Sequence, residues 1–330
     1  MKNTNYSPEN TPVVVSCCRT AIGRSDSSEG VFRKVRGDEL GAFVVKEAVA
    51  RSGVSPDHIE EVVVGVTQQR GELGGNVARS IGLLAGLPTS AAASTTNRLC
   101  GSSLQGVAQA CHSIMAGAED VHVVAGVEHM QHLPMDSEID FHPRSFSGSS
   151  RAVLSMGLTA EYLAASRGIS RRLQEEYALE SHRRATHATE TGFFKKEIIA
   201  CPGLNIDGVF TVVDRDQSIR SDTSLAAMDR LSPAFLPRIG SITAATSAPL
   251  SDGAAAMVVM SEAAARRLGL TPLVRVVSTA VVGVSPALMG LGPVYATRKV
   301  LHRSGIDLRE IEIIELNEAF AVQVLACMNE

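Results

Sequence analysis

The sequence predicts an α/β protein of layered sheets and helices, duplicated along the chain, with an extra segment set between the two copies. Three observations carry this expectation. Short apolar runs alternate with amphipathic stretches, a block of sequence recurs 252 residues downstream, and the composition changes between about residues 127 and 249.

Pro12-Val13-Val14-Val15 reads as a buried strand and residues 39–51 as a helix. Residues 61–66 form a second strand, Val77, Ile81 and Leu84 share one helical face, and residues 121–125 make a further buried strand. Uninterrupted apolar strands between amphipathic helices imply a sheet covered on both faces. In the repeat, Arg51-Ser52-Gly53 returns as Arg303-Ser304-Gly305, and Ile59, Val62 and Val64 meet Ile311, Ile314 and Leu316. Each copy reads as helix, turn, acidic link and buried strand, so residues 311–316 are expected to be a strand. A period this long points to two similar domains rather than a solenoid. In this register the second copy stops about 48 residues short of the first, which reads as a cut C-terminal end. The expected division is residues 1–126 plus about 250–272, an inserted loop domain at 127–249 over the active site, and a truncated second domain at 273–330.

The 330 residues are 45% hydrophobic and 20% charged, enough for one or two cores and too apolar for a disordered chain. The apolar runs fall well short of the roughly 20 residues a membrane helix needs. A net charge of −4 gives no electrostatic reason to bind nucleic acid or an acidic membrane. Six cysteines stand at 17, 18, 100, 111, 201 and 327 without a Cys-x-x-Cys pair, which argues against zinc clusters and dithiol redox chemistry. The first eleven residues are polar and carry neither Arg nor an apolar core, so a cytoplasmic location is expected. His129-x-x-His132 has the spacing of a metal pair, but no further ligand joins it in sequence. No metal is expected there, and a substrate-lining loop is favoured.

The sharpest local signal is Asn97-Arg98-Leu99-Cys100-Gly101-Ser102-Ser103, followed by apolar residues at helical spacing: Leu104, Val107, Ala108, Cys111, Ile114 and Met115. Cys100 therefore falls at or just before a helix N-terminus, where the dipole and free N–H groups favour a thiolate nucleophile. Gly101 removes side-chain bulk beside the sulfur. A small buried cysteine preceding a helix is the competing reading of the same residues.

These residues resemble a known family. Asn97 to Ser103 is similar to the nucleophile motif of thiolases, and Arg19-Thr20-Ala21-Ile22-Gly23-Arg24 resembles the family's RTxxGR turn. Met156-Gly157-Leu158-Thr159-Ala160-Glu161, Asp252-Gly253-Ala254-Ala255-Ala256 and Asn317-Glu318-Ala319-Phe320-Ala321 match three more of its segments, in order. Gly126-Val127-Glu128-His129-Met130 looks most like the 3-ketoacyl-CoA thiolase subunit of bacterial fatty-acid oxidation complexes.

The resemblance implies a duplicated, layered α/β/α/β/α fold whose second half is incomplete here. It implies Cys100 as acyl carrier in the thiolytic cleavage of 3-ketoacyl-CoA, with coenzyme A as co-substrate and no permanently bound cofactor. Asn317 would position an oxyanion-hole water and Glu318 would support it. Arg220 and Ser247 would contact the coenzyme, and His129, Met130 and Met156 would line the substrate loop. A homodimer or tetramer is implied, with a hydratase/dehydrogenase subunit as a further partner. The family's GHPLG-type and CxGxG segments do not occur among these 330 residues, so the chain as written is expected to turn over slowly if at all. The alternatives are an inert thiolase-like subunit and an acetoacetyl-CoA thiolase. A ketoacyl-synthase-type condensing enzyme is opposed by the segments at 156–161 and 317–321.

Overall fold

A computed structural model describes residues 8–135, 138–146, 148 and 150–330. The first seven residues of the polar N-terminal stretch lie outside them. The chain forms two compact units: Met1–Ser137, Thr191–Ser218 and Leu250–Val277 make the first, and Glu138–Glu190, Ile219–Pro249 and Ser278–Glu330 the second. The segment read as one insertion, 127–249, is thus shared between the two.

In the first unit the strands are β1 (Pro12–Arg19), β2 (Gly23–Arg24), β3 (Glu61–Gly65), β4 (Ala92–Thr96), β5 (Val121–His129), β6 (Cys201–Leu204), β7 (Phe210–Val213), β8 (Ser251–Ser261) and β9 (Val274–Arg275). Seven of them make one sheet in the order β4-β3-β5-β8-β1-β9, with β2 beside β8, while β6 and β7 form a separate hairpin. β3 runs parallel to β4 and β5, whereas β8 runs antiparallel to both β5 and β1.

Helices α1 (Gly37–Ser52), α2 (Val77–Leu84) and α3 (Ser102–Ala116) cover this sheet on its two faces. Alternation along the strands decides which side each residue serves. Val13, Val15, Val62, Val64, Val121 and Val123 pack with Leu40, Val44 and Val45 of α1 and with Val77 and Ile81 of α2. Val14, Val124 and Val259 face the other way, onto Val107, Cys111 and Ile114 of α3. The two-sided burial expected from the uninterrupted valine runs is therefore present. Leu84 departs from expectation: as the last residue of an eight-residue helix it is exposed, and Val77, Ala78, Ile81 and Gly82 are the buried residues.

The second unit contains α4 (Met156–Arg167), α5 (Arg171–Glu190) and α6 (Leu225–Asp229), and, beyond α7 (Glu262–Arg267) of the first unit, α8 (Gly292–Ser304) and α9 (Ala321–Asn329). Its core joins Leu163 and Ala164 of α4 to Ile169, Ile242, Leu291, Phe320, Val322 and Ala326. The internal repeat is visible in its backbone. α1 ends on Gly53 at φ +73° and α8 on Gly305 at φ +72°, both in the left-handed conformation that glycine adopts at low cost. Matching 3₁₀ turns follow at Pro56–His58 and Leu308–Glu310.

The correspondence then stops. Residues 311–316, expected to be a buried strand like β3, carry no regular structure and have no ladder partner, and Ile313 and Ile314 are 78% and 65% exposed. β3 is buried because β4 and β5 flank it and helices cover both its faces. No described residue between 278 and 330 supplies such flanking strands.

One packing detail of the first unit fixes where α3 begins. Gly65 and Gly126 are register partners at the C-terminal ends of the parallel part of β3 and β5. A Cβ on Gly65 would come within 2.3 Å of the Ser103 backbone nitrogen, and one on Gly126 within 2.7 Å of the Ser103 side chain. The first turn of α3 thus rests on two bare backbones. Gly65→Ala should cost about 1–3 kcal/mol through overpacking, read as a lowered urea midpoint at unchanged slope. A stability equal to that of the parent chain would contradict this seat.

Candidate active site

Cys100 stands one residue before Gly101, the N-cap of α3, and its side chain is exposed. Its loop is stiffly tied. Asn97 anchors it through Nδ2 to the Thr67 carbonyl and accepts the Leu99 N–H at 2.9 Å through Oδ1. Ser102 Oγ accepts the Arg98 N–H at 2.8 Å and donates to the Leu99 carbonyl, closing a small ring around the cysteine. Leu99 pays for this tightness with φ +48°, a left-handed conformation that a leucine adopts only when its surroundings impose it. A Cβ on Gly101 would meet nothing closer than the Arg98 carbonyl at 3.5 Å, so packing does not require glycine there. The space beside the sulfur is left open.

Burial sorts the six thiols. It pushes Cys18 up to about 12 and Cys111 and Cys201 up to about 11, which keeps all three as thiols at neutral pH. Burial also raises Cys327, on α9, whose Sγ lies 3.2 Å from the Gly290 carbonyl. Cys17 and Cys100 are the exposed pair, and only Cys100 adjoins a helix N-terminus.

Asn317 and Glu318 belong to the second unit, on the irregular stretch before α9. Glu318 is gripped from α5: Tyr177 Oη donates to Oε1 at 2.6 Å and Ser181 Oγ to Oε2 at 2.7 Å. Burial, then the hydrogen bond to Glu318, raises the tyrosine pKa and keeps it a donor. His182, the next residue of α5, accepts the Arg220 N–H at Nδ1 (3.3 Å), and burial together with the Arg220 charge lowers its pKa. Ser247 pairs in an antiparallel bridge with Phe320, and the Ala248 N–H donates to Ala319, which ties this segment to the one carrying Asn317 and Glu318. The second unit therefore gathers Arg220, Ser247 and Glu318 around α5 and the start of α9. The sequence reading missed Tyr177, Ser181 and His182; their signal was two hydroxyls four residues apart, on one face of a helix taken as solvated.

Met156 opens α4 half-buried against the apolar core of the second unit, and Met130 is half-buried in the first. His129 needs a correction as a substrate-lining side chain. It is fully buried: Nε2 faces the Phe32 carbonyl at 3.1 Å, Nδ1 accepts the His132 N–H, and the ring stacks on that of His132 at 3.8 Å. His132 places both nitrogens against acceptors, Glu72 Oε1 at 2.9 Å and the Arg33 carbonyl at 3.1 Å. Both contacts are satisfied at once only by the imidazolium. The pair locks the end of β5 onto the loop before α1 instead of opening onto a ligand.

The first unit thus presents an exposed thiol beside a helix N-terminus on a layered α/β scaffold. The family model described as "Thiolase, N-terminal domain" matches residues 12–263, and "Thiolase, C-terminal domain" matches residues 270–330. The chain belongs to the thiolase family. It is 47% identical over 322 residues to the 3-ketoacyl-CoA thiolase of Pseudoalteromonas translucida (strain TAC 125), covering 97% of this chain and 82% of the relative. It is equally similar to that of Vibrio cholerae serotype O1 (strain ATCC 39315 / El Tor Inaba N16961), at 47% identity over 97% of this chain and 83% of the relative. The crystal structure of the Bacillus anthracis acetyl-CoA acetyltransferase superposes with a TM-score of 0.86 at 33% identity, over 97% of this chain and 82% of that one.

The His132 arrangement has a consequence for stability. Burial alone would lower its pKa, but the hydrogen bond to Glu72 and the Arg33 carbonyl outweigh burial, so the folded value is raised. A raised folded value gives stability that is fully present below the unfolded histidine pKa of about 6.5 and is lost as pH rises through the folded value. His132→Gln should therefore destabilise the chain more at pH 6 than at pH 9, measured by urea unfolding. An equal loss at both pH values would contradict the charged pairing.

Proposed function

We propose that this chain is a 3-ketoacyl-CoA thiolase acting in the degradative direction, with Cys100 as its acyl carrier. The observation that carries this reading is an exposed thiol at the start of a helix whose first turn is fixed on the Gly65 and Gly126 backbones. The Cys100 thiolate attacks the 3-keto carbon of a 3-ketoacyl-CoA, and the tetrahedral oxyanion collapses with cleavage of the C2–C3 bond. The leaving acetyl-CoA enolate takes a proton and departs as acetyl-CoA, leaving the shortened acyl chain as a Cys100 thioester. A second CoA thiolate then attacks that thioester, releasing the shortened acyl-CoA and restoring the cysteine. The covalent intermediate divides a difficult carbon–carbon cleavage into two thioester exchanges.

Both oxyanions need donors fixed in advance. Asn317 is assigned to orient the water that serves one of them, and the backbone N–H of Cys100 contributes to the other. Glu318, gripped by Tyr177 and Ser181, is assigned to support that water site. Arg220 and Ser247 are assigned to the coenzyme, where a guanidinium suits phosphate, and Met130 and Met156 to the acyl chain. Residues 127–249 carry most of these coenzyme and acyl contacts. A homodimer or tetramer in the cytoplasm, working beside a hydratase/dehydrogenase subunit, completes the reading. The 47% identity to 3-ketoacyl-CoA thiolases, against 33% to an acetyl-CoA acetyltransferase, supports the degradative assignment. Family models matched across both halves support an acyltransferase over an inert relative.

Incubation with acetyl-CoA, followed by digestion and mass spectrometry, should find the acetyl group on the Cys100 peptide and none in Cys100→Ser. Acetylation elsewhere, or an equal yield from the serine variant, would refute the assignment. Activity confined to the four-carbon substrate would move the chain to the acetoacetyl-CoA thiolases.

A further inference from the structure

At the opposite end of the parallel strands from Cys100, the first unit holds a second cluster of chemically active side chains. We propose that His122, Glu61 and Glu119 form a binding site for one divalent transition-metal cation of the zinc class. His122 and Glu61 are register partners at the starts of β5 and β3, and Glu119 lies in the turn that joins α3 to β5. One ligand atom from each of the three lies within 4.8 Å of the others.

His122 points to a ligand independently of the carboxylates. Its side chain is 0% exposed, yet neither ring nitrogen makes a well-formed hydrogen bond; the Glu61 carboxylate and the Glu119 backbone are the acceptors that act on it. An imidazole buried in this state is costly, because water has been removed and no good hydrogen bond has replaced it. Burial, partly opposed by Glu61 and the Glu119 backbone, lowers its pKa. Nδ1 lies 3.6 Å from Glu61 Oε2, beyond a good hydrogen bond. Two ligands each about 2.1 Å from a shared ion subtend about 120° at that separation, close to what a four-coordinate zinc accepts.

The carboxylates are already oriented by outer hydroxyls. Ser94 Oγ donates to Glu61 Oε1, which leaves Oε2 towards the histidine, and Ser113 Oγ donates to Glu119 Oε2. Such outer donors fix ligands at established metal sites. Both carboxylates are half-buried, which gives an ion a way in from solvent. One imidazole nitrogen and two carboxylate oxygens suit zinc or manganese, and the affinity order of the divalent ions favours zinc. The other histidine–carboxylate group of this unit, Glu72 with His129 and His132, does not qualify. Its rings stack at 14° with their in-plane lone pairs parallel, and its ring nitrogens already have partners. Bound at His122, an ion would clasp the first residues of β3 and β5 to the end of α3, away from the acyl-transfer residues.

The test is a titration of the full chain, stripped with a chelator, first with Co²⁺ and then with Zn²⁺ in competition. One ion per chain is expected, with visible d–d bands and no thiolate charge-transfer band. Glu119→Gln and His122→Gln should each weaken binding at least about tenfold, while Cys100→Ser leaves it unchanged. Circular dichroism checks each fold; should His122→Gln fail to fold, Glu119→Gln, in a half-exposed turn, decides alone. No stoichiometric ion, unchanged affinity in Glu119→Gln, or a thiolate band from binding at cysteine would overturn the proposal.

Discussion

The contact between the first turn of α3 and the bare backbones of Gly65 and Gly126 is the constraint on which the candidate site depends. A side chain at either position would push the helix off the strand ends, and Cys100 would move with it. The surrounding hydrogen bonds are of the same kind. Asn97, Ser102 and the strained Leu99 fix the two residues before the cysteine, and so the backbone that carries its sulfur. Rigid placement of this sort is what covalent catalysis requires, since the reacting atoms must meet at near-bonding distance in one geometry.

Around that seat, burial divides otherwise similar groups into working and structural ones. Cys18, Cys111 and Cys201 lie in the core and remain thiols, whereas Cys100 faces solvent at a helix start. Histidines divide in the same way. His132 is held as a cation by two acceptors, His129 is held in a packing role, and His122 is buried without a well-formed hydrogen bond. In the second unit the grip of Tyr177 and Ser181 on Glu318 fixes a carboxylate on a segment that carries no regular structure of its own.

Much of this was legible in the sequence where local pattern and burial agree. The valine runs of β1, β3 and β5 are buried on both faces, and the spacing from Leu104 to Ile114 located the start of α3 and hence Cys100. Recurrence of Arg-Ser-Gly found two left-handed helix caps, because both copies need glycine at the same backbone angle. Elsewhere local pattern was insufficient. Residues 311–316 have the apolar content of a strand, but a strand also needs neighbours, and sequence alone does not display them. β8 was not read as a strand, and its first residues stood out only as a family segment, since Ser251–Ser261 opens with small residues of weak strand preference that gain their place by pairing with β1 and β5. His122 was written in plain view inside an apolar run, where a lone imidazole reads as a strand residue until its lack of a well-formed hydrogen bond is seen.

The central claim, that the glycine-seated start of α3 makes Cys100 the reactive thiol of this chain, is tested most directly by competitive alkylation of the native protein. Brief exposure to iodoacetamide followed by peptide mass spectrometry gives a labelling rate for each of the six cysteines. Cys100 should label fastest, ahead of the likewise exposed Cys17, while Cys18, Cys111 and Cys201 stay unlabelled until denaturation and Gly65→Ala selectively slows Cys100. Labelling of Cys17 at the same rate or faster, or a Cys100 rate indifferent to Gly65→Ala, would contradict it.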